Sequence, residues 1–588
     1  MKERDSDFNI RPGRIKTTRA PKPKSFINQV MRAAKKAGHT GSARPSSRSG
    51  RASATGHSTF GRGRISFSRN RLFSPNRRVV VAARIARHSG RAFRSAPMSA
   101  HLSYLKREGV TRDGEKAVMF DAGSDRADDV AFTERCKDDR HHFRFIVSPE
   151  DAADLTDIRA FTRDLASQMQ SDLGTRLDWV AVDHWNTDNP HVHLIVRGVD
   201  ETGADLVISR DYISRGLRSR AEDLVSIELG PKPEHEIRNA LVKEITAERW
   251  TRLDIEIRFA ADDTGYIDLR PENSGAADPQ SRRLMIGRLQ HLEKMELAVP
   301  IASGEWMVGL DAERSLRDLG MRGDIMKTMH RAFTERGQDR GVADYVVGGD
   351  TSAPIIGRLV DKGLHNELTG EAYAVIDGTD GRAHHVRLRG IEAFEHSPHL
   401  GGIVEVRRFG GPDDERPTIV LATRSDHDLN RQITAPGATW LDHRLVEREA
   451  MPMAMGGFGA EVRDAMQARA EHLADEGLAR RQGQRIILQR DLLNTLRNRE
   501  LDAVGAKLAT EMGLPHVKPQ AGEHVTGVYR QRLTLASGRF AVIDNGLGFQ
   551  LVPWTPPLEK KLGQHIAGVA NGSGGIDWSL GRKRDFGL

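Results

Sequence analysis

The stretch Val182-Asp-His-Trp-Asn-Thr-Asp-Asn-Pro-His-Val-His-Leu-Ile-Val196 places three histidines around one predicted turn. Its second half has the pattern of a β-strand, in which side chains two residues apart lie on the same face. His191 and His193 therefore point the same way. The turn Thr187-Asp-Asn-Pro190 returns the chain from a preceding strand that ends at His184, so three imidazoles can meet at one strand junction.

Three neutral imidazole nitrogens can form a metal site that keeps open coordination positions. We predict that His184, His191 and His193 bind a metal ion, since three histidines around one turn are less expected by chance than a single one. Asp188 can orient a ligand as a hydrogen-bonded carboxylate, and ordinary capping of the turn is an equally good interpretation.

The segments around this stretch alternate between strand and helix patterns. His142 to Val147 has a strand pattern, and Ser148-Pro-Glu-Asp151 carries signals of a helix start. Apolar residues at three- and four-residue steps predict a helix that ends at Gly174, and Leu177 to Val182 predicts the next strand. With a further helix from about Ser209 to Glu228, the pattern favours an α/β domain with an antiparallel-containing sheet and packed helices over a doubly wound sheet.

Two polar residues share one face of the first of these strands. His142 and Arg144 are two positions apart, so both side chains point to the same side of the sheet. They could contact phosphate or take part in proton transfer. A structural role is an equally good interpretation.

The composition is that of a soluble protein with several domains. A chain of 588 residues is long enough for three to four domains of about 150 residues each. No apolar run approaches the roughly 18 residues of a membrane helix, and the first residues do not have the pattern of a secretory signal. The single cysteine, Cys136, can form no internal disulfide, so we expect a cytoplasmic protein without membrane insertion.

Charge is distributed unevenly along the chain. Residues 1–100 carry 24 Lys and Arg against 3 Asp and Glu, whereas the rest of the chain holds 65 basic and 78 acidic residues. A cationic arm on a mildly acidic body favours a polyanionic partner such as DNA or RNA. A solvated tail that aids solubility is the alternative. The arm, residues 1–96, is rich in Arg, Ser, Gly and Pro, which predicts disorder.

Four further segments follow the arm. They are a domain at 97–232, a helical linker and winged-helix-like region at 233–350, a small β-rich domain at 351–425 and a mixed α+β C-terminal region at 426–588. We expect one long helix from Pro233 to Ala261, then a helix, hairpin, helix arrangement from Ser281. A helical segment is predicted from Gly459 to Met512, and no fixed-period repeat is evident.

The histidine stretch resembles a known family. Pro190 to Val196, together with His184 and Asp188, resembles the third motif of relaxases, the DNA-nicking enzymes of plasmid conjugation and mobilisation in the HUH endonuclease superfamily. The resemblance covers about residues 97–230, and the whole layout is similar to long mobilisation nucleases with a C-terminal domain of unknown function. It implies an HUH-type sheet, site- and strand-specific nicking of single-stranded DNA at a transfer origin, and a divalent Mg²⁺ or Mn²⁺ ion.

Such enzymes use a tyrosine nucleophile upstream of the histidine motif. Tyr104 is the only tyrosine in that position, and we predict that it forms a 5′-phosphotyrosyl link with DNA. Leu102 and Leu105 can pack on one side of this segment, while Lys106 and Arg107 can meet phosphate. A tyrosine that only packs is the alternative interpretation.

The resemblance also implies partners. They are single-stranded DNA at a transfer origin, relaxosome accessory proteins and the coupling protein of a type IV secretion system, with translocation of the protein together with the DNA. Two other functions fit the residues. A non-catalytic DNA-binding mobilisation accessory protein would use the basic arm and the winged-helix-like region. A histidine-triad nucleotide hydrolase would need a further histidine where the chain has Ile195.

Overall fold

The computed structural model describes residues 71–579, with gaps at 88–95, 187–188, 272–277, 339, 349–352, 395, 411–417, 448–452, 484 and 573. The chain divides into two compact units. The first comprises Met1–Asp324 and Glu367–Thr369, and the second comprises Ile325–Asn366 and Gly370–Leu588. The predicted disorder of residues 1–70 and the position of Asp188 lie outside the described residues, and the five predicted segments stay a prediction.

The first unit begins with a four-stranded antiparallel sheet and its helices. These elements are β1 (Val79–Arg87), α1 (Ala96–Leu105), α2 (Asp129–Arg135), β2 (His141–Pro149), α3 (Ile158–Leu173), β3 (Trp179–His184), β4 (His191–Arg197) and α4 (Leu217–Leu229). The strand order is β1-β2-β4-β3, and every neighbouring pair is antiparallel. The predicted combination of an antiparallel sheet with packed helices is confirmed.

Both faces of this sheet are covered. Successive side chains of a strand point to opposite faces, and apolar residues occupy positions on both. On one face, Phe143, Phe145 and Leu194 belong to a buried core that also contains the apolar residues of α3 and α4. On the other face, Val182 and Ile195 belong to a core that contains the buried residues of α1 and α2. The three histidines lie on this second face, beside α1.

Two boundaries differ from the prediction. β1 pairs with β2 along its length and buries Val79, although it lies in the predicted arm, residues 1–96. The apolar run Val79-Val-Val-Ala-Ala83 therefore forms a strand despite the basic composition around it. The helix predicted after Ser148 begins at Ile158 instead, where Asp157 caps its first turn through its side chain.

A helical module follows the sheet. Its elements are α5 (Glu234–Ile245), α6 (Arg252–Ala260), β5 (Tyr266–Asp268), α7 (Pro279–Lys294), β6 (Ala298–Ala302), β7 (Glu305–Val308) and α8 (Ala312–Thr334). The helix, hairpin, helix order predicted from Ser281 is confirmed. The single long helix predicted from Pro233 to Ala261 is wrong, because Thr251 and Asp254 form a capping box that starts a new helix.

One buried arginine stabilises the break between α5 and α6. Arg288 of α7 is fully buried and donates to both carboxylate oxygens of Asp254, at 2.8 and 3.0 Å. It also donates to the main-chain carbonyls of residues 244, 245, 247 and 249. Carbonyl groups at a helix end need such partners, so this guanidinium satisfies the backbone that the break exposes.

The second unit contains a six-stranded sheet, a two-stranded hairpin and a five-stranded sheet, with helices between them in the chain. Its elements are β8 (Tyr345–Val347), β9 (Ile355–Asn366), β10 (Glu371–Gly378), β11 (Ala383–Leu388), β12 (Ile403–Phe409), β13 (Thr418–Ser425), α9 (Leu429–Ile433), α10 (Trp440–Val446), α11 (Gly457–Asp475), β14 (Ala479–Gln482), β15 (Arg485–Leu488), α12 (Leu492–Met512), β16 (His524–Leu535), β17 (Gly538–Asp544), β18 (Phe549–Pro553), β19 (His565–Ala570) and β20 (Ile576–Trp578). The strand orders are β13-β12-β9-β10-β11-β8 and β18-β17-β16-β19-β20. The helical segment predicted from 459 to 512 is wrong as one piece, because the hairpin β14–β15 divides it. Among the described residues, no helix is long and apolar enough to cross a bilayer.

The helices of the second unit repeat the helical module of the first. Both modules contain a Thr-x-Leu-Asp helix start, a buried arginine and a hairpin in the same order. The matching segments are Ile245-Thr-Ala with Ile433-Thr-Ala, and Thr251-Arg-Leu-Asp254 with Thr439-Trp-Leu-Asp442. In the second module, Arg469 is fully buried and donates to Asp442 and to the carbonyls of residues 433, 435 and 437. The sequence analysis found no fixed-period repeat, and it did not detect this pair of modules because the two copies share few residues and lie far apart in the chain.

Replacing Arg288 with alanine should strongly destabilise the first module. The change leaves the buried Asp254 carboxylate and several carbonyls without a partner, which costs about 3–5 kcal/mol of unfolding free energy. Urea unfolding followed by tryptophan fluorescence measures this loss. Arg283→Ala, at an exposed position of the same helix, is the matched control and should change stability by less than about 0.5 kcal/mol. Equal stability of the two variants would contradict the role given to the buried arginine.

Candidate metal centre

The three predicted histidines meet because β3 and β4 are paired in one register. His184 is directly opposite His191, and His193 is opposite Val182, so all three imidazoles lie on the same face. Their ring centres are 5.3 Å apart for His184 and His191, 4.5 Å for His184 and His193, and 5.0 Å for His191 and His193. All three side chains are buried.

A fourth residue that the sequence analysis did not identify completes the cluster. Glu367 is buried, and its Oε2 atom is 3.1 Å from Nε2 of both His191 and His193. One ligand atom from each of the four residues lies within 4.8 Å of the others. Glu367 is 176 residues from His191 and stands between two strands in Asn366-Glu-Leu-Thr-Gly370, a pattern typical of a polar turn. No local signal in the sequence marks it as part of the site.

Main-chain hydrogen bonds orient two of the imidazoles. The Nε2 atom of His184 donates to the carbonyl oxygen of Leu105 at 2.8 Å, and Nδ1 of His191 donates to the carbonyl oxygen of Asn189 at 3.0 Å. These bonds leave Nδ1 of His184 and Nε2 of His191 as the nitrogens with a free lone pair. Such outer hydrogen bonds typically fix the tautomer and orientation of histidines that bind metals.

The cluster has the properties of a cation site. Nδ1 of His184 and Oε1 of Glu367 are buried without a hydrogen-bond partner, which is costly unless an ion binds them. The Nε2 atoms of His191 and His193 are 3.2 Å apart. Ligand atoms around one ion, with bonds of about 2.1 Å, are separated by roughly 3.0–3.4 Å. The residues present therefore fit a divalent ion with three nitrogen ligands and one oxygen ligand.

The electrostatics of the cluster agree with this interpretation. Burial lowers the pKa of His184 and of His193, so both imidazoles are neutral at physiological pH, the form that binds metals. Burial alone would raise the pKa of Glu367, but the adjacent His193 and His191 hold that pKa well below its ordinary value. The side chain of Glu367 in this cluster is therefore a carboxylate anion.

Tyr104 lies in the last turn of α1, on the same face of the sheet as the histidines. Its neighbour Leu105 is buried and accepts the hydrogen bond from His184. The guanidinium of Arg107 is 4.2 Å from the centre of the Tyr104 ring, and its Nη2 atom is 3.8 Å from Oε1 of Glu367. Arg107 thus connects the half-buried Tyr104 with the four-residue cluster.

His142 and Arg144 form a second polar group on this face. Nε of Arg144 donates to Nε2 of His142 at 2.9 Å. Burial, with the charge of Arg84, lowers the pKa of Arg144 to about 10, so the guanidinium stays charged at neutral pH. His101 of α1 is also buried, and burial together with the charge of Arg144 lowers its pKa. The sequence analysis did not single out His101, although it lies one helical turn before Tyr104.

Two families match the chain. Residues 285–417 and 413–587 match the family described as Protein of unknown function (DUF3363), and together these ranges cover more than half of the chain. Residues 120–223 match the relaxase family described as MobA/VirD2-like, nuclease domain. The chain belongs to the DUF3363 family and carries a relaxase nuclease domain. No curated protein and no solved structure gives a significant match.

The residues of the candidate site are distributed between the relaxase match and the DUF3363 match. The relaxase match contains the three histidines, His142 and Arg144, whereas Tyr104 precedes it. Glu367 lies within the first DUF3363 range. The proposed fourth ligand therefore comes from the part of the chain whose family has no known function.

His191→Ala should abolish most of the divalent-ion affinity. The variant loses a ligand from the centre of the cluster, and we expect Mn²⁺ to bind at least about a hundredfold more weakly in isothermal titration calorimetry. Glu367→Gln keeps the shape of the side chain and removes its charge, so it should weaken binding by about tenfold or more. His235→Ala, which changes an exposed histidine of α5, is the control. Unchanged Mn²⁺ affinity in His191→Ala would refute the metal site.

Proposed function

We propose that this protein is a relaxase that nicks one strand of DNA at a transfer origin and remains linked to the new 5′ end through Tyr104. The observation that carries the proposal is the contact between the two parts of the site. A buried group of three histidines and one glutamate is hydrogen-bonded to the residue that follows the tyrosine, and Arg107 contacts both Tyr104 and Glu367.

The proposed reaction exchanges one phosphodiester for another. The Oη atom of Tyr104 attacks the scissile phosphorus, the bond from phosphorus to the 3′ oxygen breaks, and the phenol proton is transferred to that 3′ oxygen. The product is a 5′-phosphotyrosyl link and a free 3′ hydroxyl. Because a new phosphodiester replaces the broken one, the free energy of the phosphodiester bond is retained and the strand can be rejoined later. Attack by water would lose that energy.

Residues of this chain would position and neutralise the reacting groups. Arg107 holds the Tyr104 ring and can contact a phosphate oxygen, as can Arg144 from its position on β2. His142 and His101 lie on the same face and could accept or deliver the proton. A divalent ion bound by His184, His191, His193 and Glu367 would supply positive charge to the scissile phosphate. Of the two ions that the family resemblance implies, Mg²⁺ and Mn²⁺, nitrogen-rich ligands such as these favour Mn²⁺.

The wider role follows from the same assignment. The substrate would be single-stranded DNA at the transfer origin of a mobile element. Relaxosome accessory proteins and the coupling protein of a type IV secretion system would be the partners, and the protein would act in the bacterial cytoplasm and travel with the strand. Asp188 remains a proposed orienting residue for the histidines.

Tyr104→Phe should abolish the covalent protein–DNA adduct. The variant keeps the ring and its contact with Arg107 but lacks the nucleophilic oxygen, so a denaturing gel with single-stranded DNA from the protein's own mobile element should show no shifted band. Tyr266→Phe, which removes a hydroxyl that bonds to Glu305, is the control and should form the adduct normally. An adduct of normal yield in Tyr104→Phe would exclude this nucleophile. Its absence in every form, with DNA binding intact, would favour a non-catalytic accessory protein.

A further inference from the structure

The hairpin of the second helical module carries an exposed basic face. In the pairing of β14 with β15, Ala479 is opposite Leu488 and Arg480 is opposite Ile487. Ala479 and Leu488 pack against the core of the module, so this face of the hairpin points inward. The opposite face points to solvent. Its residues are Arg480, Gln482, Arg485 and Ile487, and all four are exposed.

The arginines of this face are available for a partner. Among the described residues, neither Arg480 nor Arg485 has a carboxylate within ion-pair distance, whereas Arg481 on the inward face pairs with Asp475 at 2.7 Å. The turn contains Gly483, whose φ of +61° favours glycine and keeps the tip of the hairpin narrow. The arginines are therefore presented on both strands of a thin two-stranded ribbon.

The first module shows that the fold does not require these arginines. Its hairpin β6–β7 occupies the same place after a helix with a buried arginine, and it contains no Lys or Arg between Ala298 and Val308. Its exposed residues include Val299 and Ile301, with 58% and 55% of their surface accessible. Two copies of one scaffold thus carry hairpins of different chemistry, which indicates that the basic face serves recognition rather than stability.

We propose that the hairpin β14–β15 is a wing that binds duplex DNA. A two-stranded ribbon fits a DNA groove, arginines bind phosphates and enter narrow minor grooves, and a glutamine can hydrogen-bond to base edges. A helix followed by a hairpin that contacts DNA is also the arrangement of winged-helix proteins. The choice of DNA rests on the relaxase nuclease match, but binding by the wing does not depend on cleavage at Tyr104.

The test compares two double variants in the full chain with Tyr104→Phe, which removes cleavage from the measurement. The wing variant is Arg480→Ala with Arg485→Ala. The control is Arg238→Ala with Arg431→Ala, which removes the same charge from exposed arginines that pair with Glu234 and Asp428. Fluorescence anisotropy with a random-sequence duplex is recorded over a range of salt concentrations.

The wing variant should bind the duplex about tenfold or more weakly than the control at 0.1 M salt. Its plot of log affinity against log salt should be shallower by about 1.8, since each lost phosphate contact removes about 0.9 from the slope. Equal affinity and slope in the two variants would overturn the proposal, as would weaker binding to single-stranded RNA with duplex binding unchanged. Circular dichroism of both variants should be unchanged, because the replaced side chains are exposed. Failure of this test would leave the Tyr104 adduct assay unaffected, so the two proposals are distinguishable.

Discussion

The register between β3 and β4 determines the site. Side chains alternate between the two faces of a strand, so a slip of one residue would move His191 and His193 into the apolar core with α3 and α4. The correct register instead gathers three imidazoles and Glu367 beside α1. Burying four such groups with two of their atoms unpaired costs free energy, and a cation recovers that cost. Without a bound ion, the buried cluster therefore lowers the stability of the fold.

The two helical modules show a different use of a buried charge. In each, one guanidinium satisfies an aspartate and the carbonyls of a helix break, so a single side chain replaces several ordinary capping interactions. Breaking such a group is costly, whereas the exposed hairpin beside it contributes little to the core. The buried part of the module is therefore constrained, and the hairpin is free to change its chemistry. Accordingly, both modules keep the buried arginine and aspartate, whereas the hairpin is apolar in the first module and basic in the second.

Local sequence patterns predicted the three histidines of the site, which lie close together in the sequence. The strand alternation and the turn brought His191, His193 and His184 together within one hairpin, and the amphipathic pattern of α1 buried Leu105 as expected. Glu367 could not be predicted, because nothing near it in the sequence distinguishes a ligand from a residue in a polar turn. The break between α5 and α6 was missed for a similar reason. Apolar periodicity continues across the break, and the residue that stabilises it, Arg288, comes from another helix.

The charges around the cluster suggest how DNA binding and ion binding are coupled. Without an ion, the guanidinium groups of Arg107 and Arg144 and the carboxylate of Glu367 sum to a single positive charge. A divalent ion bound by the neutral histidines would add two positive charges and raise that sum to three. In the proposed reaction, this more cationic pocket beside Tyr104 would attract the scissile phosphate more strongly. Under the proposed function, the substrate would therefore bind more tightly to the ion-loaded site than to the empty one.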